Sequence, residues 1–297
     1  MDLFSALTGV ARIGLGLAAV GRPGYINLGR DTDLPADRTV EAMRERAHTL
    51  LDDAWAAGVR YFDVARSYGR AEEFLASWLP GHDGAIAGSK WGYTYTADWR
   101  VTAEKHEVKD HGVATFDRQI GETRALLGDR LALYQIHSVT PDSPALTDRE
   151  LHRRLAGQGA VVGFSTSGPR QADAIRAALE VEVDGRRLFR CVQATWNLLE
   201  TSAGPALAEA RAAGCEVIVK EGMANGRLAG RDAEALAAAL QQPWSPIVLS
   251  GAAAEAQLAS NLRAASLALT ADELDRLTAA PEPPEQYWQT RASLAWS

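Results

Sequence analysis

Four side chains able to hold or transfer a proton occur where short apolar segments of the chain end. Asp63, Lys90 and His137 each stand at the end of such a segment, and Tyr68 lies five residues after Asp63. Any one of these residues alone is usually explained by a structural role, such as capping a helix or packing. Four of them at successive segment ends predict a reaction centre, because catalytic groups collect where several elements converge.

The four side chains suit the reduction of a carbonyl group, or the reverse oxidation of an alcohol. A phenol has an ordinary pKa of about 10, and a neighbouring ammonium group lowers that value. We therefore expect Lys90 to lower the pKa of Tyr68, with Asp63 holding Lys90 in place. Tyr68 would then be the general acid that protonates a carbonyl oxygen, and His137 would donate a second hydrogen bond to that oxygen.

The chain as a whole alternates short apolar segments with longer segments of helical spacing, which predicts a parallel α/β fold. Eight such units in 297 residues fit a single (β/α)8 TIM barrel over residues 1–297. A doubly wound sheet is the competing fold, but "RIGLGLAAVG" at the first segment lacks the glycine pattern of its phosphate-binding turn. The predicted strands are Arg12–Leu15, Val59–Asp63, Ala85–Ser89, Leu131–Ile136, Val161–Phe164, Cys191–Thr195, Glu216–Val219 and Ile247–Leu249.

Segments with helical spacing lie between these strands and after the last one. They are Thr39–Ala57, Ala71–Trp78, Ala114–Leu127, Asp148–Ala156, Gln171–Leu179, Pro205–Ala213, Ala233–Leu240, Glu255–Ala265 and Ala271–Leu277. The carboxyl ends of barrel strands form one rim, so the four reactive side chains are expected to meet there.

The composition excludes several classes of function. Hydrophobic residues make up 46% of the chain and charged residues 23%, and the net charge of −7 argues against nucleic acid or an anionic membrane as a partner. No apolar run reaches the roughly 20 residues of a membrane-spanning helix, and the first residues lack the pattern of a secretory signal. The two cysteines, Cys191 and Cys215, lie in or beside apolar segments without metal-ligand spacing. We therefore expect reduced thiols in a cytoplasmic protein with no metal site.

Two segments depart from a minimal barrel. A long loop, Tyr93–Gly112, follows the third predicted strand, and the tail Glu282–Ser297 is rich in aromatic residues without helical or strand spacing. Loops that follow barrel strands lie on the catalytic face, and long ordered loops there commonly form lids. We expect Tyr93–Gly112 and Tyr287–Trp296 to close over the substrate. The alternative is that they pack beside the barrel and do not contact the substrate.

The motifs around the reactive residues resemble those of the aldo-keto reductase superfamily, and the resemblance runs nearly end to end. "FDVARSYG" is similar to the family's F-D-T-A-x-x-Y-G segment, "SKWG" to its lysine motif and "LYQIH" to its histidine motif. "VVGFSTSG", "VQATWNLLE" and "LSGAAAEAQLASN" are similar to later family motifs in the same order. The resemblance implies a (β/α)8 barrel, a nicotinamide cofactor held at the strand carboxyl ends, and the catalytic residues Asp63, Tyr68, Lys90 and His137.

The resemblance also implies which residues hold that cofactor. Ser165, Thr166 and Gln193 match residues that bind the carboxamide, and Asn261 matches a residue that contacts the adenine. Lys220 stands where many relatives place an aromatic ring against the nicotinamide. The loop Gly222–Leu228 matches the loop that covers the pyrophosphate, and its implied contacts are Gly222, Ala224, Asn225, Gly226 and Arg227.

The family resemblance favours NADP(H) as the cofactor, with NAD(H) as the alternative. Relatives that prefer NADP(H) often carry basic residues for the 2′-phosphate at the positions of Gly251 and Gln257, and both residues are uncharged here. A phosphate dianion needs charged donors. Arg227, Arg231 and Arg263 are the nearby candidates to supply them.

Aromatic residues are expected to wall a pocket for a small carbonyl or alcohol substrate. The predicted pocket residues are Tyr25, Trp91, Tyr93, Trp196 and Trp288. The sequence leaves the substrate, the direction of the reaction and the oligomeric state open. It also leaves two other functions open: an aldolase-like barrel in which Lys90 forms a Schiff base, and a cofactor-binding redox sensor with little turnover.

Overall fold

A computed structural model describes residues 3–25, 28 and 31–296 of the chain. Within these residues, eight parallel strands close into a barrel, and two short antiparallel hairpins lie outside it. The strands described there, in chain order, are β1 Ile13–Gly16, β2 Tyr61–Asp63, β3 Ile86–Trp91, β4 Tyr93–Tyr95, β5 Glu107–Lys109, β6 Leu131–Val139, β7 Val161–Thr166, β8 Glu182–Val183, β9 Arg186–Arg187, β10 Cys191–Thr195, β11 Glu216–Lys220 and β12 Ile247–Ser250. The barrel runs β1, β2, β3, β6, β7, β10, β11, β12 and back to β1.

At least one helix follows each barrel strand, as expected of crossover connections between parallel strands. The helices of the described residues are α1 Val40–Ala57, α2 Ala71–Trp78, α3 Val113–Leu127, α4 Arg149–Ala156, α5 Gln171–Leu179, α6 Gly204–Ala212, α7 Asp232–Leu240, α8 Glu255–Leu262, α9 Ala271–Thr278 and α10 Pro284–Ala292. None of these helices combines the length and apolar character that crossing a bilayer requires. The (β/α)8 barrel predicted from the sequence is confirmed.

The predicted element boundaries agree with the structure to within three residues, and β10, α2 and α5 agree to the residue. The hairpins β4–β5 and β8–β9 and helix α10 were not predicted. The expectation that the C-terminal tail has no regular structure is therefore wrong. Strands of two or three residues carry too little alternation to stand out in a sequence.

Helix α1 shows how local sequence sets an element. Thr39 begins it, because its side chain accepts a hydrogen bond of 3.2 Å from the backbone N–H of Ala42. Gly58 ends it in the left-handed conformation, with φ of 106°, which glycine adopts without steric cost. The face buried against the barrel repeats every three or four residues, as helical periodicity requires, and comprises Met43, Ala47, Leu50, Leu51 and Ala54.

The lower part of the barrel interior is apolar. Phe4, which precedes β1, packs its ring against Tyr61 at 5.1 Å between ring centroids. The remaining buried members of this cluster come from four other barrel strands and are Leu133, Cys191, Ile218 and Ile247. Cys191 and Cys215 are both buried free thiols.

A glycine on the neighbouring strand leaves space for the side chain of Tyr61. A Cβ atom at Gly88, on the neighbouring strand, would collide with the Tyr61 hydroxyl and ring. That hydroxyl donates a hydrogen bond of 2.9 Å to Asp63 Oδ2. Gly88 therefore permits the packing that holds Asp63 from below.

We expect Gly88→Ala to lower the free energy of unfolding by about 1–3 kcal/mol, because the added methyl group overpacks the barrel interior. Gly121 is the matched control. It lies exposed in α3, and a Cβ there meets nothing within 4 Å. Gly121→Ala should raise the free energy of unfolding by up to about 1 kcal/mol through helix propensity. Urea denaturation of both variants measures these changes, and equal effects would contradict the packing account.

Candidate active site

The centre of the site is an ion pair between adjacent strands. Lys90 Nζ donates a short hydrogen bond to Asp63 Oδ1 and a second one, of 3.1 Å, to the backbone oxygen of Val64. Asp63 Oδ2 accepts hydrogen bonds of 2.9 Å from Tyr61 and from Gln193 Nε2. Lys90 and Asp63 are 1% and 2% exposed, so both charges are held by the protein rather than by water.

Tyr68 lies over this ion pair. Its ring centroid is 5.0 Å from Lys90 Nζ and 5.5 Å from the centroid of His137, whose ring it meets edge to face. The turn after β2 carries Tyr68 back over the rim, closed by a 3.0 Å bond from its N–H to the oxygen of Ala65. The structure thus brings together Asp63, Tyr68, Lys90 and His137, as we expected from their positions near the ends of the predicted strands.

His137 is neutral in this environment. Burial lowers the pKa of its imidazole well below the usual value, and the positive charges of Lys90, Lys220 and Arg22 lower it further. Its Nδ1 lies 3.5 Å from the hydroxyl of Ser67. A neutral imidazole carries one N–H, so His137 can donate a single hydrogen bond.

The expectation that Tyr68 has a lowered pKa is wrong. Burial raises the pKa of this phenol well above 10, and the carboxylates of Asp63, Glu107 and Glu221 add to the rise, while Arg22 opposes it. The reason is that removing the phenol from water penalises the phenolate more than the nearby cations stabilise it. Tyr68 is therefore a neutral phenol at neutral pH, which is the form that gives up a proton.

Arg22 is a member of the site that the sequence did not reveal. It is 3% exposed, and its Nη1 donates to the oxygen of Ser67 at 2.9 Å and to Glu107 at 3.0 Å. Its guanidinium lies 5.2 Å from the ring centroid of Tyr68 and 4.7 Å from that of Trp296. A single arginine in a Gly- and Pro-rich segment carries no sequence signal that separates it from a solvated surface residue.

A cavity of about 530 Å³ extends from this centre to the loop after β12 and to α8. Its wall contains Asp63, Tyr68 and His137 at one end. Eight of the residues that the family resemblance assigned to cofactor binding also line it: Gln193, Lys220, Gly222, Asn225, Gly226, Gly251, Gln257 and Asn261.

Four residues assigned to the cofactor do not line the cavity. The Ser165 hydroxyl accepts a 2.8 Å bond from the N–H of Ser138, and the Thr166 hydroxyl donates to Gln171 at 3.1 Å. Arg227 pairs with Glu282, and Ala224 is buried. Ser167, one residue beyond Thr166, lies on the wall instead.

Lys220 belongs to a half-buried charged cluster. Its Nζ donates to Thr195 at 2.8 Å and lies 3.6 Å from Glu221 Oε1. Burial lowers the pKa of Lys220 to about 8. Burial opposes ionisation of Glu221, but Arg291 and Lys220 outweigh it and lower the pKa of that carboxyl to about 2. The ring of Trp288 lies 5.7 Å from Lys220 Nζ.

Of the five aromatic residues predicted to wall the substrate pocket, Tyr25 and Tyr93 line the cavity and the three tryptophans do not. Trp91 packs against Phe116 at 5.1 Å, Trp196 against Trp244 at 5.8 Å, and Trp288 against Tyr287 at 5.8 Å. Trp91 follows Lys90 in β3, and successive strand side chains point to opposite faces, so one of the two must leave the barrel interior.

The C-terminal tail divides into two parts. Helix α10 is structural: Tyr287 is 1% exposed and accepts a 3.0 Å bond from Asn197 Nδ2, and Arg291 pairs with Glu221. Beyond the helix, Trp296 lines the cavity and stacks on His106 at 4.2 Å between ring centroids. The long loop after β3 supplies His106, so loop and tail meet at the mouth of the cavity.

Comparison with known proteins agrees with the fold and the motifs. The model of the Aldo/keto reductase family matches residues 12–238, so the chain belongs to this family. No curated protein sequence matches the chain significantly.

Solved structures share the fold. A Pseudomonas aeruginosa protein assigned to the aldo-keto reductases is 24% identical, with a TM-score of 0.65 over 86% of this chain and 89% of the other. The aldo-keto reductase AKR11C1 from Bacillus halodurans, solved in its holo form, is 19% identical, with a TM-score of 0.70 over 93% of this chain and 95% of the other.

We expect the two parts of the tail to respond differently to substitution. Tyr287→Ala should lower the melting temperature by several degrees, because removing a buried aromatic ring costs about 3–5 kcal/mol. Trp296→Ala should leave the melting temperature almost unchanged and alter KM across a panel of carbonyl compounds. Thermal denaturation and steady-state kinetics test both variants. A large loss of melting temperature in Trp296→Ala with unchanged KM values would show that the end of the tail is structural as well.

Proposed function

We propose that the protein is an NAD(P)(H)-dependent oxidoreductase that reduces an aldehyde or ketone to an alcohol, or catalyses the reverse reaction. The observation that carries this proposal is the position of Tyr68. A protonated phenol lies on the cavity wall between a buried ammonium group, Lys90, and a neutral imidazole, His137. Family membership supports oxidoreductase chemistry in general.

The cavity suits an extended dinucleotide. Its volume lies within the range of about 300–1,000 Å³ typical of small-molecule sites. The side-chain oxygen of Asn225 is buried without a hydrogen-bond partner among the described residues. A Cβ at Gly251 would meet nothing within 4 Å, so the backbone there borders open space. We assign Gln193 and Lys220 to the nicotinamide end of the cofactor.

The remaining contacts are those that the family resemblance implies for residues on the cavity wall. Gly222, Asn225 and Gly226 would lie against the pyrophosphate, and Gly251, Gln257 and Asn261 against the adenosine. When bound, the nicotinamide supplies or accepts the hydride.

The side chains of the chain handle the proton. Tyr68 gives its hydroxyl proton to the carbonyl oxygen as that oxygen gains negative charge, and His137 donates a hydrogen bond to the same oxygen. Lys90 lies 5.0 Å from the Tyr68 ring and stabilises the phenolate left behind. Asp63 fixes Lys90 through their ion pair. In the oxidation direction Tyr68 recovers the proton from the alcohol.

The walls around Tyr68 indicate the kind of substrate. Tyr25, Tyr93 and Trp296 border the cavity at this end. Aromatic walls favour apolar or ring-bearing carbonyl compounds. Because both cysteines are free thiols, we place the reaction in the cytoplasm.

The Schiff-base alternative receives less support. Lys90 Nζ donates to Asp63 and to the oxygen of Val64. Lys90 is also absent from the described wall of the cavity, where a carbonyl substrate would lie. Borohydride treatment in the presence of a carbonyl substrate would trap a Lys90 adduct only in the aldolase-like enzyme. A redox sensor would bind nicotinamide cofactor but show no steady oxidation of it with any carbonyl compound.

We expect Tyr68→Phe to reduce kcat by about 10²–10⁴-fold, because the variant cannot deliver the proton. Cofactor affinity should change little. Tyr95→Phe is the matched control, since Tyr95 lies in β4 away from the cavity wall, and its kcat should stay near that of the wild type. Steady-state kinetics with small aldehydes, together with cofactor titration, measures both. Retention of more than about a third of kcat in Tyr68→Phe would remove Tyr68 from the role of acid.

Arg22 and Glu107 allow a test of the electrostatics, because they form one ion pair but act oppositely on Tyr68. Arg22 lowers the pKa of Tyr68, and Glu107 raises it. We expect Arg22→Gln to reduce kcat by roughly three- to tenfold and Glu107→Gln to raise it, since a stronger acid transfers its proton more readily. Arg22→Lys should recover much of the loss. An equal fall in kcat for both glutamine variants would show that the pair acts only by holding the loop.

A further inference from the structure

A second histidine, His111, lies behind His137. It follows the β4–β5 hairpin, is 5% exposed and does not line the cavity. Its Nε2 lies 2.8 Å from the backbone oxygen of His137. A carbonyl oxygen can only accept a hydrogen bond, so the Nε2 of His111 carries a proton and donates it. His111 therefore contacts the backbone of His137 without reaching the cavity.

His111 is neutral, and its single N–H is committed to His137. Burial, aided by Lys109, lowers the pKa of the His111 imidazole to about 4, against the opposing effects of its bond to His137 and of Asp110. Its Nδ1 is buried without a hydrogen-bond partner among the described residues. An apolar ring could fill the same space, so the bond to His137 is what a histidine adds at this position.

The ring of His111 is fixed against the end of β3. Gly92 has φ of 101°, and a Cβ atom there would lie 2.5 Å from Cδ2 of His111 and 2.9 Å from its Nε2. The N–H of Asp110 donates a 2.9 Å bond to the oxygen of Gly92. Trp91 meets the His111 ring edge to face, at 6.0 Å between ring centroids. Close packing therefore sets where the Nε2 of His111 points.

The backbone that His111 contacts is irregular. The pairing of β6 with β7 shifts register between Ile136 and Val139, so His137 and Ser138 lie in a bulge. Ser138 has φ of 58°, a left-handed conformation that serine keeps only where its surroundings support it. Bulges redirect the side chains next to them. The direction of the His137 imidazole therefore depends on this bulge.

Three side chains hold the bulge. His111 donates to the oxygen of His137, and Lys109 Nζ donates to the oxygen of Ser138 at 2.7 Å. The hydroxyl of Ser165 accepts a 2.8 Å bond from the N–H of Ser138. Lys109 is exposed, so His111 is the buried donor among the three.

We propose that His111 is a positioning residue that holds the bulge in the conformation directing the His137 imidazole towards Tyr68 and the substrate oxygen. This inference rests on the proposed function, in which His137 donates a hydrogen bond to that oxygen. Such a donor stabilises the transition state only from about 2.7–3.1 Å. Loss of the His111 bond should therefore lower kcat while changing KM and cofactor affinity little.

Three variants separate the hydrogen bond from the packing. His111→Phe keeps an aromatic ring but removes the donor, and we expect kcat to fall about five- to twentyfold, less than the roughly 10²–10³-fold cost of losing an oxyanion donor altogether. His111→Gln places an N–H as many bonds from the backbone as the histidine Nε2, and it should recover about half of the wild-type kcat or more. His111→Asn carries the same amide one bond closer to the backbone, and it should not recover kcat.

His152 is the matched control. It is 6% exposed, its Nε2 donates a 2.8 Å bond to the oxygen of Ala145, and it does not line the cavity. Its ring meets Phe189 edge to face, at 6.5 Å between ring centroids. His152→Phe should lower the melting temperature about as much as His111→Phe does, and it should leave kcat unchanged.

A double-mutant cycle tests whether the effect passes through His137. In a His137→Ala background, His111→Phe should change kcat by less than about twofold, because residues that act through one group are not additive. Steady-state kinetics on the whole protein, cofactor titration by tryptophan fluorescence and thermal denaturation measure all the variants.

The outcomes separate this inference from the proposed function. A kcat of His111→Phe within about twofold of the wild type, an equal fall in His152→Phe, or an undiminished fall in the His137→Ala background would each overturn the role of His111 while leaving the oxidoreductase function standing. If His111→Phe does not fold, equal kcat values for His111→Gln and His111→Asn would overturn that role. A wild type that binds neither NADH nor NADPH would overturn the proposed function, and the role of His111 with it.

Discussion

The buried ion pair between Asp63 and Lys90 is the interaction on which the rest of the site depends. Taking two charges out of water costs several kcal/mol per ion, so such a pair persists only where further hydrogen bonds complete it. Tyr61, Gln193 and the Val64 carbonyl supply those bonds. All three groups belong to the barrel or its rim. The site therefore forms only when the barrel closes in the correct register. Replacing Lys90 alone would leave the buried carboxylate of Asp63 without its counter-charge.

In the proposed mechanism, the same ion pair affects both the protonation of Tyr68 and its ability to transfer a proton. Burial alone makes phenolate formation unfavourable, and Asp63 makes it more so. Lys90 lies 5.0 Å from the ring and Arg22 lies 5.2 Å from it. A proton leaves Tyr68 easily only when an adjacent oxygen is gaining negative charge, because then the cations stabilise the product of the transfer. In the proposed mechanism, the surroundings of Tyr68 therefore restrict proton release to the transfer step.

Arg22 connects Tyr68 to the loop after β3 and to the C-terminal tail. It binds the oxygen of Ser67 next to Tyr68, the carboxylate of Glu107 in the β4–β5 hairpin, and the ring of Trp296 at the end of the tail. The loop after β3 and the C-terminal tail thus meet on one buried cation.

The sequence by itself determined the barrel and the meeting of Asp63, Tyr68, Lys90 and His137, because both depend on local patterns: apolar periodicity, and polar residues at successive strand ends. It did not determine which aromatic side chains face the cavity. Trp91 leaves the barrel interior because Lys90 occupies the inward position, and Trp296 enters the cavity only through the path of a helix that the sequence did not reveal. Whether the pKa of Tyr68 is raised or lowered depends on how deeply the phenol is buried, which the sequence does not show. The meeting of Asp33 with Gln257 joins residues more than 200 positions apart, and no local pattern encodes such a contact. Tertiary structure decided these points because burial and long-range contacts exist only once the barrel has closed.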